Sequence, residues 1–173
     1  MKRYSFVLAL FLVTGVSVKA QNANPFISIS INPFEIKMNE TTTLEVTAGN
    51  AANDKISSKS MEIIINVGSN ATISGIATGS DARWKIIRLT HGDGNMIILE
   101  NTSEKGFHDF DLSKINLTVK GTKAGGPALV TATIKYLNGK ASQGNSSQQD
   151  DRSTTSLTVL GDNTTKEPVK KGF

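Results

Sequence analysis

Apolar residues in this chain recur at every second position, and they do so in one run after another. Ile27, Ile29 and Ile31 would share one face of an extended strand. So would Phe34, Ile36 and Met38, then Leu44, Val46 and Ala48, then Met61, Ile63, Ile65 and Val67, then Ile115, Leu117 and Val119. A period of two marks a strand with one face buried and the other wet. No sustained helical period competes with it, and the abundance of Ile and Thr suits a pleated sheet. The spacing predicts strands over 27–31, 34–38, 43–48, 61–67, 71–77, 84–90, 96–100, 114–120, 129–136 and 154–160. Short strands separated by regular turns define an all-β chain, folded as an antiparallel two-sheet sandwich. Leu44, Val46, Ile63, Ile65, Trp84, Leu117, Val119 and Ile134 are the expected core between the sheets.

Turn residues set the connections. Asn32-Pro33 divides the first two runs, which read as one edge strand split in half. The glycine-rich segment His91–Asn95 turns 84–90 into 96–100 as a hairpin. Two connections are longer: Gly49–Ser60, and Leu137–Ser153 with no apolar residue between Ser142 and Asp151. The second cannot order itself by burial and is expected to be disordered.

The chain opens with Met1-Lys2-Arg3, an apolar stretch from Tyr4 to Val18, and Val18-Lys19-Ala20. That order of charged, apolar and small residues is the order of a cleaved secretory signal, with the cut expected before Gln21. The expected organisation is a signal peptide at 1–20, a sandwich at 21–162 and a flexible polar and basic tail at 163–173. No later stretch is apolar enough to span a membrane as a helix. The mature protein is expected in the periplasm, on the outer surface or outside the cell.

Charge and cysteine usage then exclude several functions. The formal net charge is +4, but Lys2, Arg3 and Lys19 belong to the leader and Lys166, Lys170 and Lys171 to the tail. Residues 21–162 hold 13 basic and 14 acidic side chains, so nucleic acid is not an expected partner. The absence of cysteine excludes disulfides, thiolate metal sites and cysteine catalysis.

Few residues offer chemistry. His91 sits in the hairpin loop. His108 lies beside Asp109 and Asp111, but neighbours on an extended segment point to opposite faces, which argues against a shared metal. Asp93, Asn95, Asp150 and Asp151 are the candidates for calcium, which takes six to eight oxygens, although no run has the spacing of a dedicated calcium loop. No cofactor is otherwise implied. Trp84, the only tryptophan, reads as a core anchor. The alternative makes it the stacking platform of a carbohydrate-binding sandwich. Arg83 and Arg88 around it read as solvated strand charges that protect an edge.

The stretch Phe34-Glu35-Ile36-Lys37-Met38-Asn39-Glu40-Thr41-Thr42-Thr43-Leu44-Glu45-Val46-Thr47 resembles the opening of bacterial immunoglobulin-like domains, CARDB-like domains of secreted and cell-surface proteins. Met61–Val67, Ala71-Thr72-Ile73-Ser74-Gly75 and Leu117-Thr118-Val119-Lys120-Gly121-Thr122, followed by Val130–Tyr136, resemble their later strands. The resemblance covers roughly residues 27–160. It implies adhesion, scaffolding or display, hence a non-catalytic module whose partner is a protein or a cell-surface polymer.

Overall fold

The computed structural model describes residues 23–52, 55–91, 95–102, 106–108, 110–136 and 147–161. Ten strands follow one another: β1 (Pro25–Asn32), β2 (Glu35–Lys37), β3 (Thr41–Asn50), β4 (Met61–Val67), β5 (Ala71–Ile76), β6 (Trp84–Thr90), β7 (Asn95–Asn101), β8 (Leu112–Gly121), β9 (Gly125–Tyr136) and β10 (Arg152–Leu160). They form two sheets. The smaller has the order β1-β3-β8-β5 and the larger β2-β10-β9-β4-β7-β6. The alternation read in the sequence is the burial pattern of the strands. In β4 and β7 every second residue is buried and its neighbours are half-buried or exposed. Leu44, Val46, Ile63, Ile65, Leu117 and Val119 are fully enclosed, and Trp84 and Ile134 nearly so. Each such side chain contributes about 1.5–3 kcal/mol through removal of its apolar surface from water.

The expected hairpin is present, with β6 antiparallel to β7. The first two runs, however, are more than one strand split in two. β1 pairs with β3 in the smaller sheet, whereas β2 pairs with β10 in the larger, and that second pairing is parallel. Pro33 lacks an N–H and cannot continue a ladder, so the chain leaves one sheet there and enters the other. Residues 147–151 also differ from the expected disordered loop. The Asp150 carbonyl accepts a hydrogen bond from Ile27 N at 2.9 Å, and the Asp151 carbonyl accepts one from Ile134 N at 2.8 Å. Backbone pairing anchors this polar stretch where side-chain burial cannot. Residues 137–146, the leader at 1–20 and the tail at 163–173 lie outside the described residues.

The same contacts close one side of the sandwich. Ile27 N donates to Asp150 O, and Ile29 N donates to Ser153 Oγ at 3.1 Å, so β1 runs beside β10 and ties the two sheets together. On the opposite side no backbone pairing among the described residues joins the two sheets. There β5 ends one sheet and β6 ends the other.

Candidate functional site

A connected set of polar side chains lies where β6 and β8 begin. Its foundation is a close backbone approach. Ile56 and Phe107 exchange two backbone hydrogen bonds of 2.9 Å. Gly106 makes this possible: its φ is +64°, and a side chain there would run into the Ile56 carbonyl. Phe107 is thereby fully buried, 5.9 Å from Trp84 between ring centroids, with the Arg83 guanidinium 4.5 Å above its own ring.

Arg83 is not the solvated charge expected from sequence. Its Nε donates to Asp81 Oδ2 at 2.7 Å, its Nη1 donates to Asp111 Oδ2, and its Nη2 donates to the Leu112 carbonyl at 2.7 Å. Asp81 Oδ2 also accepts from Ser113 Oγ at 2.8 Å, and Ser113 Oγ accepts from Trp84 Nε1 at 2.8 Å. Burial alone would raise the Asp81 pKa. The hydrogen bonds from the side chain and backbone of Arg83 and from Ser113 outweigh that and hold it below the ordinary aspartate value. Burial would likewise lower the Arg83 pKa, and its bonds to Asp81 and Asp111 raise it instead. The arrangement is a charge-assisted latch between the two sheets. Its charges pair with one another, so it can hold a loop in place.

His108 and Asp111 close a turn where an extended segment was expected. Asp111 N donates to the His108 carbonyl at 3.2 Å, and Asn50 Nδ2 donates to the same carbonyl at 3.4 Å. Phe110 sits in the left-handed region at φ +52°, and its side chain is 68% exposed. Leu112 is exposed beside it. Across the smaller sheet, Leu112 and Phe26 close over Gly49 from either side. Phe26 and Leu112 form an apolar corner over Gly49, and the exposed Phe110 precedes Leu112 by two residues.

The sequence candidates fall in separate places. Trp84 is only 4% exposed, so its ring offers no platform for a sugar, and the carbohydrate reading built on it is corrected. Asn95 is buried, and its Nδ2 donates to the Ala71 carbonyl. Asn95 aligns through Val67 with Val130 of β9, whereas Asp151 bonds further along that strand at Ile134, so the structure does not bring them together. Asp150 Oδ2 accepts from Asn24 Nδ2 at 3.0 Å. Asp93 and Asp109 lie outside the described residues. His91 and His108 are exposed. Among the described residues, no three acidic or histidine side chains converge as a metal site. No helix of the described residues is long and apolar enough to cross a membrane.

No family model matches the chain, and no curated protein matches it in sequence. Solved structures do. The N-terminal domain of a Streptococcus gordonii adhesin is 17% identical with a TM-score of 0.53; the match covers 81% of this chain and 34% of that one. A cohesin module from a family 33 glycoside hydrolase of Clostridium perfringens is 11% identical with a TM-score of 0.50, covering 82% and 98%. A CARDB domain from Pyrococcus furiosus is 11% identical with a TM-score of 0.47, covering 81% and 96%. At these identities the likeness is one of fold. The chain has an immunoglobulin-like β-sandwich fold.

Proposed function

We propose that this protein is a secreted or envelope interaction module without catalytic activity, and that it docks a macromolecular partner through the exposed Phe110 and the apolar corner of Phe26 and Leu112 that follows it. Phe110 carries the reading. A bulky side chain in the left-handed region costs about 1–2 kcal/mol, and here that conformation belongs to an aromatic residue that is largely exposed to solvent. Strain retained at an exposed aromatic residue marks a contact surface. The latch of Arg83, Asp81 and Asp111 holds the strand immediately after it through the Leu112 carbonyl. The leader motivates the export. The adhesin and cohesin likenesses agree with a binding role.

Sedimentation of the purified domain with envelope fractions tests this. The Phe110→Ser, Leu112→Ser pair is expected to abolish co-sedimentation while the melting curve stays cooperative. Undiminished binding by that pair, or turnover of glycosidic, ester or peptide substrates, would sink the reading.

A further inference from the structure

The two sheets end differently. At the outer strand of the larger sheet, four successive residues from Lys85 to Arg88 are exposed, while Trp84 before them is locked into the core and Leu89 after them packs against it. Ile86 pairs with Leu99 of β7, which is fully buried, yet Ile86 itself is 36% exposed. The apolar layer of the core therefore reaches β6 and runs out there. A further strand alongside β6 would cover Ile86 and the neighbouring Ile87, which is 42% exposed.

The outer face of the same sheet says what such a strand would carry. Cross-strand register places Lys135, Glu62, Glu100 and Lys85 in one row, and Thr133, Ile64, Ile98 and Arg88 in the next. Both rows finish on a cation at the open edge. Lys85 makes a 3.7 Å pair with Glu100 on its inner side, with its side chain 59% exposed. Arg88 takes part in no ion pair among the described residues. The segment from Ala82 to His91 contains no acidic residue. Directly opposed unlike charges favour a cross-strand pair and like charges disfavour it.

We propose that β6 is a strand-addition site for an extended acidic peptide, one that alternates carboxylates with β-branched apolar residues. Its backbone pairs with the outer edge of β6 from Lys85 to Leu89, beside which no other strand of the described residues lies. Its apolar side chains cover Ile86, and its carboxylates continue the two outer rows beside Lys85 and Arg88. A second copy of this chain is the wrong occupant, because β6 against β6 would oppose like charges. The irregular register between Ile86 and Arg88 leaves Ile87 as an extra residue and shortens the stretch that any strand can follow. The proposal rests on the interaction-module reading and adds to it a second surface and a ligand class.

The test uses the purified domain and a fluorescein-labelled eight-residue peptide alternating Glu with Val, beside the same peptide with Lys for Glu. Fluorescence anisotropy should show saturable binding of the acidic peptide alone. The double variant Lys85→Glu, Arg88→Glu should weaken it about tenfold, as expected for loss of two exposed charge pairs, and should instead accept the Lys peptide. Amide shifts on titration should centre on residues 84–90. No binding, equal binding of both peptides, shifts centred elsewhere, or association of the domain with itself through β6 would each overturn the proposal. Failure of the acidic peptide to bind, with envelope binding still lost in the Phe110 and Leu112 variant, would overturn β6 alone and leave the module reading standing. Failure of the peptide to bind, with envelope binding undiminished in the Phe110 and Leu112 variant, would overturn both.

Discussion

Trp84 and Ser113 join the two sheets by one hydrogen bond: the indole Nε1 of the first strand residue of β6 donates to the Ser113 hydroxyl of β8 at 2.8 Å. That hydroxyl passes its own hydrogen to Asp81 Oδ2, so one small side chain satisfies a buried donor and a carboxylate together. Ser113→Ala leaves the buried indole N–H without its acceptor and removes one of the donors to Asp81. The expected loss is about 1–3 kcal/mol, the cost of leaving a buried polar group without a partner, read from the midpoint of urea denaturation. The emission of Trp84 should be blue-shifted and resistant to quenching in the native protein, and emission at the wavelength of free indole would contradict the placement.

The core register is open to a direct comparison. Ile65 is fully enclosed, whereas Lys85 is exposed on the outer face. Ile65→Ala should cost about 2–5 kcal/mol. Lys85→Ala should cost less than about 0.5 kcal/mol. Equal costs in equilibrium unfolding would mean that the strands are out of register by one residue.

Acid should weaken the latch. The Asp81 pKa is lowered in the folded protein, because hydrogen bonds from Arg83 and Ser113 outweigh the opposing effect of burial. A carboxylate with a depressed folded pKa contributes stability that is complete above its unfolded pKa and is lost as pH falls through the folded one. That window opens below about pH 4. Asp81→Asn should lower stability at pH 7 and flatten its fall between pH 4 and pH 2. A fall as steep as in the parent would show that the carboxylate is not held by the fold. The pKa of Arg83 is raised further from an already high value, so its own linkage lies outside any useful pH range.

Two glycines separate backbone strain from steric exclusion. Gly79 has φ +81° with open space around it, and Gly106 has φ +64° with the Ile56 carbonyl in the way. Gly79→Ala should cost about 1–2 kcal/mol, the left-handed penalty alone. Gly106→Ala should cost clearly more and should release Phe107, which near-ultraviolet circular dichroism would report. Similar costs at both sites would contradict the close approach.

Phe110→Gly should pull stability and binding in opposite directions. Relief of the left-handed conformation is expected to stabilise the domain by about 0.5–1 kcal/mol after the entropy of glycine is taken off. Removal of the ring is expected to abolish envelope binding. A variant that is both more stable and fully active would show that the strain serves no contact.

The strands and core were legible because alternation is a local signal, and it survives in β4, β7 and β8 without tertiary help. What the sequence hides is any partner chosen at long range. Arg83 reads as a strand charge until Asp111, 28 residues later, is brought against it. Asp150 reads as part of a structureless polar run until its carbonyl meets Ile27, far away in the chain. The spacing Asp81-Ala82-Arg83 just before a lone tryptophan was a usable hint, since a carboxylate two residues ahead of an arginine can hold both its backbone and its side chain. The parallel pairing of β2 was only half signalled. Pro33 announces a break, but nothing local says which sheet the chain joins next.

The way β1 and β2 both advance along β10 in one direction has a mechanical consequence. Ala23 leads into β1 at the Trp84 end of the sandwich, and Gly161 leaves β10 at the far end. Tension applied between those two residues would load the β1–β10 and β2–β10 hydrogen bonds side by side, in shear, where they must fail together rather than unzip singly. Pulled between residues 23 and 161 in a force spectrometer, the domain is expected to rupture in one high-force event. Pulled across β6 and β7, whose hairpin opens one bond at a time, it should yield at much lower force.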